Sequence, residues 1–213
     1  MTASRRSPLS TLVRALMTAR AALHLVLYRA SSNRTTIDAD VDRWMEITGT
    51  THELWSPSWS RVAWLLFRFP EYRNLFYYRV RKGGGIVTRL LLEIAKIFYA
   101  PMNTLFISTP SIGPGLFIQH GFATIIAARA LGARCWVNQQ VTIGFADDDA
   151  CPTLGDDVVI SAGAKVIGNV TIGNNSQVGA NAVVVKNVPP NCTVVGIPAY
   201  IVRRDGQKTR EPL

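Results

Sequence analysis

The sequence predicts an α+β chain in two parts, an α-helical region over residues 1–100 and a parallel β-solenoid over residues 101–202, with residues 203–213 left as a C-terminal tail. Three observations carry this reading. Up to about Tyr99, apolar residues recur at intervals of three and four. From Leu154 onward an aliphatic residue recurs every six positions, and Asp, Gly or Asn stands at one fixed offset within each six.

In the first part, Leu9, Leu12, Val13, Leu16 and Met17 describe one face of a helix. The same spacing returns at Val41, Trp44 and Met45, at Val62, Leu65 and Leu66, and at Leu75, Phe76 and Val80. It ends with Val87, Leu90, Leu91, Ile94 and Ile97. Breakers separate these runs at Ser31-Ser32-Asn33, Pro57, Pro70 and Gly83-Gly84-Gly85, so four or five helices are expected. The plainest role for this part is a helical cap and oligomerisation module.

In the second part the aliphatic residues are Leu154, Ile160, Val166, Ile172, Val178 and Val184. Three residues after each stand Asp157, Gly163, Asn169, Asn175, Asn181 and Asn187, the types that most easily take positive φ. Four residues after each stand the small or β-branched Val158, Ala164, Val170, Ser176, Ala182 and Val188. The register extends backwards through Ile112 and Ile118, with Gly115 and Gly121 at the turns. One inserted residue follows, and Ile125, Leu131, Val137 and Ile143 resume the step. Their turn positions, Ala128, Arg134, Gln140 and Ala146, do not keep the rule. A helix returns its stripe every 3.6 residues and a strand every two, so a period of six fits neither. It fits short strands joined by tight corners, three strands to a coil, with the aliphatic residues stacked inside a prism.

Composition narrows the function classes. Nearly half of the 213 residues are apolar, enough for a packed core. The three cysteines, Cys135, Cys151 and Cys192, read as reduced thiols of a cytoplasmic protein. Residues 1–100 hold 15 Lys/Arg against 7 Asp/Glu, and residues 101–213 hold 8 against 7. The basic surplus therefore sits on the helical half, which argues against a nucleic-acid groove along the solenoid and for a local cationic face. Such a face suits peripheral contact with an anionic membrane. The first 37 residues lack Asp and Glu, but Arg14 and Arg20 interrupt their apolar stretch, so neither a secretory core nor a membrane-spanning run fits there.

The stretches Ile118-Gln-His-Gly121, Asn138-Gln-Gln-Val-Thr-Ile-Gly144 and Cys151-Pro-Thr-Leu-Gly-Asp156 go further, as do residues 161–170 (SAGAKVIGNV) and 188–202. Together they resemble the hexapeptide-repeat acyltransferases, within them the serine acetyltransferases and the related bacterial O-acetyltransferases of surface polysaccharides. The resemblance implies a left-handed coil, a homotrimer with sites between neighbouring prisms, and acetyl-CoA as co-substrate. It also implies that His120 is the catalytic base.

Chemistry supports that role. Transfer of an acyl group to a hydroxyl needs a base, donors for the oxyanion and two reactants held in register. Histidine alone has an unperturbed pKa near neutrality, and His120 stands where the repeat is interrupted. By the same resemblance, Ala162 and Ala180, with Gly163 and Gly179 beside them, would line the CoA arm. Lys186, Arg203 and Arg204 are candidates for its phosphates. Two departures mark the acceptor side. Serine acetyltransferases carry an upstream aspartate that orients the base, whereas Leu105 to Pro110 has no carboxylate. They carry a second histidine before a proline, where this chain has Cys151 before Pro152. An extended loop, GFADDDACPT, follows Ile143; Asp147, Asp148, Asp149, Cys151 and Gln139 are the acceptor-pocket candidates. His120 and Cys151 offer too few ligands for a metal site, so none is expected. The departures favour a sugar hydroxyl of a surface polysaccharide as acceptor. Serine, feeding cysteine synthesis, is the alternative, and a non-catalytic β-helix scaffold is the alternative of another class.

Overall fold

The computed structural model describes residues 8–50, 58–147 and 149–213; His52, the Pro57 breaker and Asp148 lie outside them. Two compact units emerge, one taking in residues up to Val41 and Met45–Pro101, the other Asp42–Trp44 and Met102–Leu213.

The first unit is helical: α1 (Pro8–Arg20), α2 (Ala22–Ala30), α3 (Arg34–Ile47), α4 (Ser58–Arg68), α5 (Pro70–Lys82) and α6 (Ile86–Phe98). Among the described residues there are thus six helices rather than four or five. The spacing joins α1 and α2 because no breaker lies between them; the interruption falls at Ala21, whose amide still reaches Met17 and Thr18. The start of α5 follows local chemistry, with Phe69 extended before Pro70 at the first helical position. Leu65, Leu66, Leu75, Phe76 and Val80 are buried, as their spacing predicts. The α6 stripe is different. Leu92 and Ala95 are its buried residues, while Val87, Leu90, Ile94 and Ile97 face solvent.

Polar groups are also enclosed here. His24 is fully buried, its Nε2–H donating to the Tyr77 hydroxyl (2.9 Å), which donates in turn to the Tyr99 carbonyl oxygen. Burial lowers the His24 pKa to about 4, helped by the nearby Arg73 and Arg20 charges.

The second unit is a left-handed parallel β-helix of about five turns. Its first coil holds β1 (Leu105–Ile107), β2 (Ser111–Ile112) and β3 (Phe117–Ile118). The second holds β4 (Thr124–Ile126), β5 (Ala130–Leu131) and β6 (Trp136–Val137); the third, β7 (Thr142–Gly144), β8 (Thr153–Leu154) and β9 (Val159–Ile160). The fourth holds β10 (Lys165–Ile167), β11 (Thr171–Ile172) and β12 (Gln177–Val178). The fifth holds β13 (Val183–Val184), a bridge from Val188 to Ile172, and β14 (Cys192–Val195). Like strands stack into three parallel faces: β1-β4-β7-β10-β13, β2-β5-β8-β11 and β3-β6-β9-β12-β14. Residues 203–213, a tail by spacing, continue the third face, because β15 (Tyr200–Arg204) pairs antiparallel with β14 and β16 (Gln207–Pro212) pairs antiparallel with β15.

The inward columns are Ile112, Leu131, Leu154 and Ile172 on the second face and Ile118, Val137, Ile160, Val178 and Val194 on the third. Each such side chain contributes about 1.5–3 kcal/mol on burial. The first face corrects the sequence. Ile126, not Ile125, pairs with Ile143 in the core column, and Ile125 is 41% exposed. The extra residue enters as two gained before Ile126 and one lost after it. Thr109, buried at the shortened corner, donates to the Ile126 carbonyl (3.1 Å) and accepts from the Ala128 amide (3.0 Å).

The corners correct it too. Asp157, Gly163, Asn175 and Asn181 take positive φ as their types predict, but Asn169 and Asn187 do not. The β10 strand runs a residue longer than β9 and β12, and Gly168 (φ 89°) makes that corner. Asn187 instead accepts from the Thr171 amide (2.8 Å) through its side chain. Arg134 (φ 54°) and Gln140 (φ 59°) take the left-handed conformation although neither type favours it. Cys135, at the small position, is core: burial pushes its thiol up to about 11.

Candidate active site

The site is built on the edge where the third face turns into the first. Ile118 ends β3 in the core, and the Gln119 amide still bonds the Val137 carbonyl (2.8 Å). The chain then leaves the regular path. His120 (φ 65°), Gly121 (φ 41°) and Ala123 (φ 50°) all take positive φ within four residues. Left-handed backbone at a non-glycine residue costs on the order of 1–3 kcal/mol and is held only where its surroundings enforce it. Here they do. Gly121 is buried, the Phe122 amide donates to the His120 carbonyl, and the Phe122 carbonyl accepts from Gln140 of the next coil (2.8 Å). Gln119 accepts from the Trp136 indole (3.2 Å), which ties down the residue before the histidine. Thr124, buried behind the corner, lies within hydrogen-bonding distance of the Phe122 (3.1 Å) and Asn138 (3.3 Å) carbonyls. The result is an exposed imidazole on a braced corner. Among the described residues no side chain hydrogen-bonds it.

The same edge repeats in every later coil. The Gly163 amide bonds the Gln139 carbonyl (3.0 Å) and the Asn181 amide bonds the Ala162 carbonyl (2.9 Å). His120, Gln139, Ala162 with Gly163, and Gly179 with Ala180 are therefore stacked one coil apart on a single edge. At about 4.8 Å per step, three steps separate the histidine from Ala180 by about 14 Å. Small side chains keep this edge low. The glycines themselves serve the coil: a Cβ on Gly163 would stand 2.0 Å from Asn181 Oδ1, and one on Gly179 2.7 Å from Val195 Cγ1.

The remaining candidates lie elsewhere. The extended loop leaves β7 at the opposite edge of the first face, where it closes through the Ala146 amide on Ala150 (3.0 Å) and the Ala150 amide on Asp147 (3.2 Å). Arg129 donates to the Asp149 carbonyl (3.1 Å). Asp147 and Asp149 are exposed, and Cys151 is buried beside Pro152. Within one chain none of Asp147, Asp149 and Cys151 shares an edge with His120. Ser108, in the stretch without a carboxylate, lies at that second edge as well. Of the phosphate candidates, Lys186 donates to the Leu213 carbonyl (2.7 Å) beside Pro198 and Tyr200. Arg203 lines a separate open depression with Asn175, Asn191 and Asp205. Arg204 is held by Glu211 through Nε (3.2 Å) and Nη2 (2.6 Å). These cations do not form one cluster.

Sequence reasoning missed Gln119, Trp136 and Thr124 as the bracing of His120. Only the interrupted repeat signalled that this corner needed support.

Comparison with known proteins bears out the hexapeptide-repeat resemblance. Residues 151–186 match the bacterial transferase hexapeptide (six repeats) family. The serine acetyltransferase of Synechococcus elongatus is 43% identical over 158 residues, covering 70% of this chain and 63% of that protein. The chain thus spans less than two thirds of that relative's length. Among solved structures, the Neisseria gonorrhoeae serine acetyltransferase superposes with a TM-score of 0.64 at 27% identity, over 83% of this chain and 67% of its own. Soybean serine acetyltransferase complexed with serine gives a TM-score of 0.61 at 26% identity, over 80% of this chain and 70% of its own.

Proposed function

We propose that this chain is an acetyl-CoA-dependent serine O-acetyltransferase with His120 as general base. The single observation that carries the reading is the braced corner that presents His120 on the edge shared with Ala162 and Ala180, in a chain similar to serine acetyltransferases over most of its length. Similarity to those proteins moves the acceptor from a polysaccharide hydroxyl, which the sequence favours, to serine; the sugar reading has no support among these relatives.

The reaction needs little machinery. His120 takes the proton of the serine hydroxyl as its oxygen attacks the thioester carbonyl of acetyl-CoA. The tetrahedral oxyanion collapses, the carbon–sulfur bond breaks, and the departing CoA sulfur takes the proton back from the imidazolium. Small residues along the edge leave room for an extended pantetheine arm, and the acetyl group is held against the corner by that alignment.

The site is proposed to lie between copies in a homotrimer. His120 stands at one edge of the first face, while Ser108, Asp147, Asp149 and Cys151 stand at the other. A three-fold arrangement sets one copy's first edge against its neighbour's second edge, a closed cyclic solution. The acceptor pocket would then be formed by the loop of the neighbouring copy.

Mass spectrometry of the product tests the acceptor. The purified protein, incubated with acetyl-CoA and either L-serine or a panel of sugars, is expected to yield O-acetylserine. Acetylated sugar without O-acetylserine would return the acceptor to the polysaccharide class. No acetylated product of any kind, with no binding of acetyl-CoA, would favour a scaffold.

A further inference from the structure

We propose that the outer face of α6 is a docking surface for an anionic lipid bilayer. The helix is amphipathic in an unusual direction. Ile86 (77% exposed), Leu90 (63%) and Ile97 (79%) form its outermost ridge, with Ile94 beside them, while Leu92 and Ala95 alone fill its buried side. The C-terminal end of α1 is tied to that of α6, because Arg20 Nε donates to the Phe98 carbonyl (2.7 Å). An apolar ridge of this extent left uncovered along a helix marks an interaction surface.

Charge selects the occupant. Arg81 and Lys82 precede the ridge, Arg89 and Lys96 lie along one side of it with Glu93 between them, and Arg20 closes its far end. Against these five cations stands one carboxylate on the helix, Glu93, and it is already held by Lys96 (2.7 Å) and Arg81 (3.0 Å). Those cations hold the Glu93 carboxyl below the usual range, so it stays ionised and paired. A second copy laid on this face would set cation-bearing ends on cation-bearing ends, and Glu93, the one carboxylate of this helix, is already paired. Lipid headgroups of negative charge answer them directly, while the aliphatic ridge enters the acyl boundary. The ridge from Ile86 to Ile97 is about 17 Å long, suited to lying in the interface. No helix among the described residues is long and apolar enough to cross a membrane. This inference is independent of the acetyl-transfer reading.

Flotation with vesicles tests it. The full chain is mixed with vesicles of equimolar phosphatidylglycerol and phosphatidylcholine, or of phosphatidylcholine alone, at low and high salt. The protein is expected to float with the anionic vesicles only, and less at high salt. Leu90→Glu with Ile97→Glu is expected to reduce binding at least about tenfold, since a carboxylate on the ridge opposes both burial and the anionic surface. Lys82→Gln with Arg89→Gln, which leaves the ridge intact, is expected to reduce it severalfold and to serve if the first pair fails to fold. The proposal is overturned if the wild type does not float, or if both variants float equally well. It is also overturned if Leu90→Glu with Ile97→Glu lowers the mass seen by light scattering while vesicle binding is unchanged, which would make the face a seat for a second copy.

Discussion

The Arg79 guanidinium lies against the Asp40 carboxylate through two hydrogen bonds, Nε to Oδ2 (2.8 Å) and Nη2 to Oδ1 (3.1 Å), and both side chains are almost wholly buried. A pair made at this depth owes its value to completeness, because removal of one partner leaves the other's charge buried without the group that answers it. Asp40→Ala is therefore expected to destabilise the helical unit by about 3–5 kcal/mol, measured by urea denaturation. Arg79→Lys keeps the charge but loses the fork, and is expected to fall between wild type and Asp40→Ala.

Acid is expected to destabilise the same unit through His24. The folded chain protonates this residue only near pH 4, whereas the unfolded chain does so near the ordinary histidine value of 6.5. Between those values the unfolded state binds a proton that the folded state refuses, so stability falls as pH is lowered from about 6.5 to about 4 and is flat outside that window with respect to this group. The loss amounts to something on the order of 3 kcal/mol. Denaturation midpoints of wild type and His24→Gln across this range check it: the wild type should lose stability more steeply, and equal slopes would remove His24 as the cause.

The inward register on the first face is checked by a pair of neighbours. Ile126→Ala is expected to cost about 2–5 kcal/mol, as for a large core residue truncated among packed neighbours. Ile125→Ala is expected to change the stability of the isolated chain by less than about 0.5 kcal/mol. Thermal melts of the two variants would show the reverse order if the six-residue step ran unbroken through Ile125.

The edge of the prism is sensitive at Gly163. Its φ of 74° and the proximity of Asn181 Oδ1 mean that Gly163→Ala is strained twice, by conformation and by contact. A loss of more than about 1 kcal/mol is expected. Asn181→Gly in the same chain removes the contact but not the conformational strain, so it should restore part of the loss. A double-mutant cycle on urea denaturation reads the coupling.

These variants also mark how far the sequence could be read. From Leu154 onward the period, the small residues and most corners were legible, because each coil repeats one geometry and selects the same residue type at the same place. Ile125 and Ile126 were not separable by pattern, since both are isoleucine and the choice depends on His120, Gly121 and Ala123 together spending two residues on the corner. Thr109 then takes one back, through bonds made to a coil further along. The α6 stripe was legible as a stripe, but spacing cannot say which side of an amphipathic helix the rest of the unit covers. At the candidate site, His120 and the edge of small residues were within reach of motif and period. Its bracing by Gln119 and Thr124 was not, because those contacts join coils about 18 residues apart.

The central claim is that His120 is the base for acetyl transfer to serine, and the initial rate of thiol release from acetyl-CoA in the presence of L-serine tests it most directly. The account predicts serine-dependent release by the wild type and a loss of about 10²–10⁴-fold in His120→Ala, with circular dichroism and thermal stability preserved because the imidazole is exposed. Serine-dependent release that survives in a folded His120→Ala protein, or no release with serine by the wild type, would contradict it.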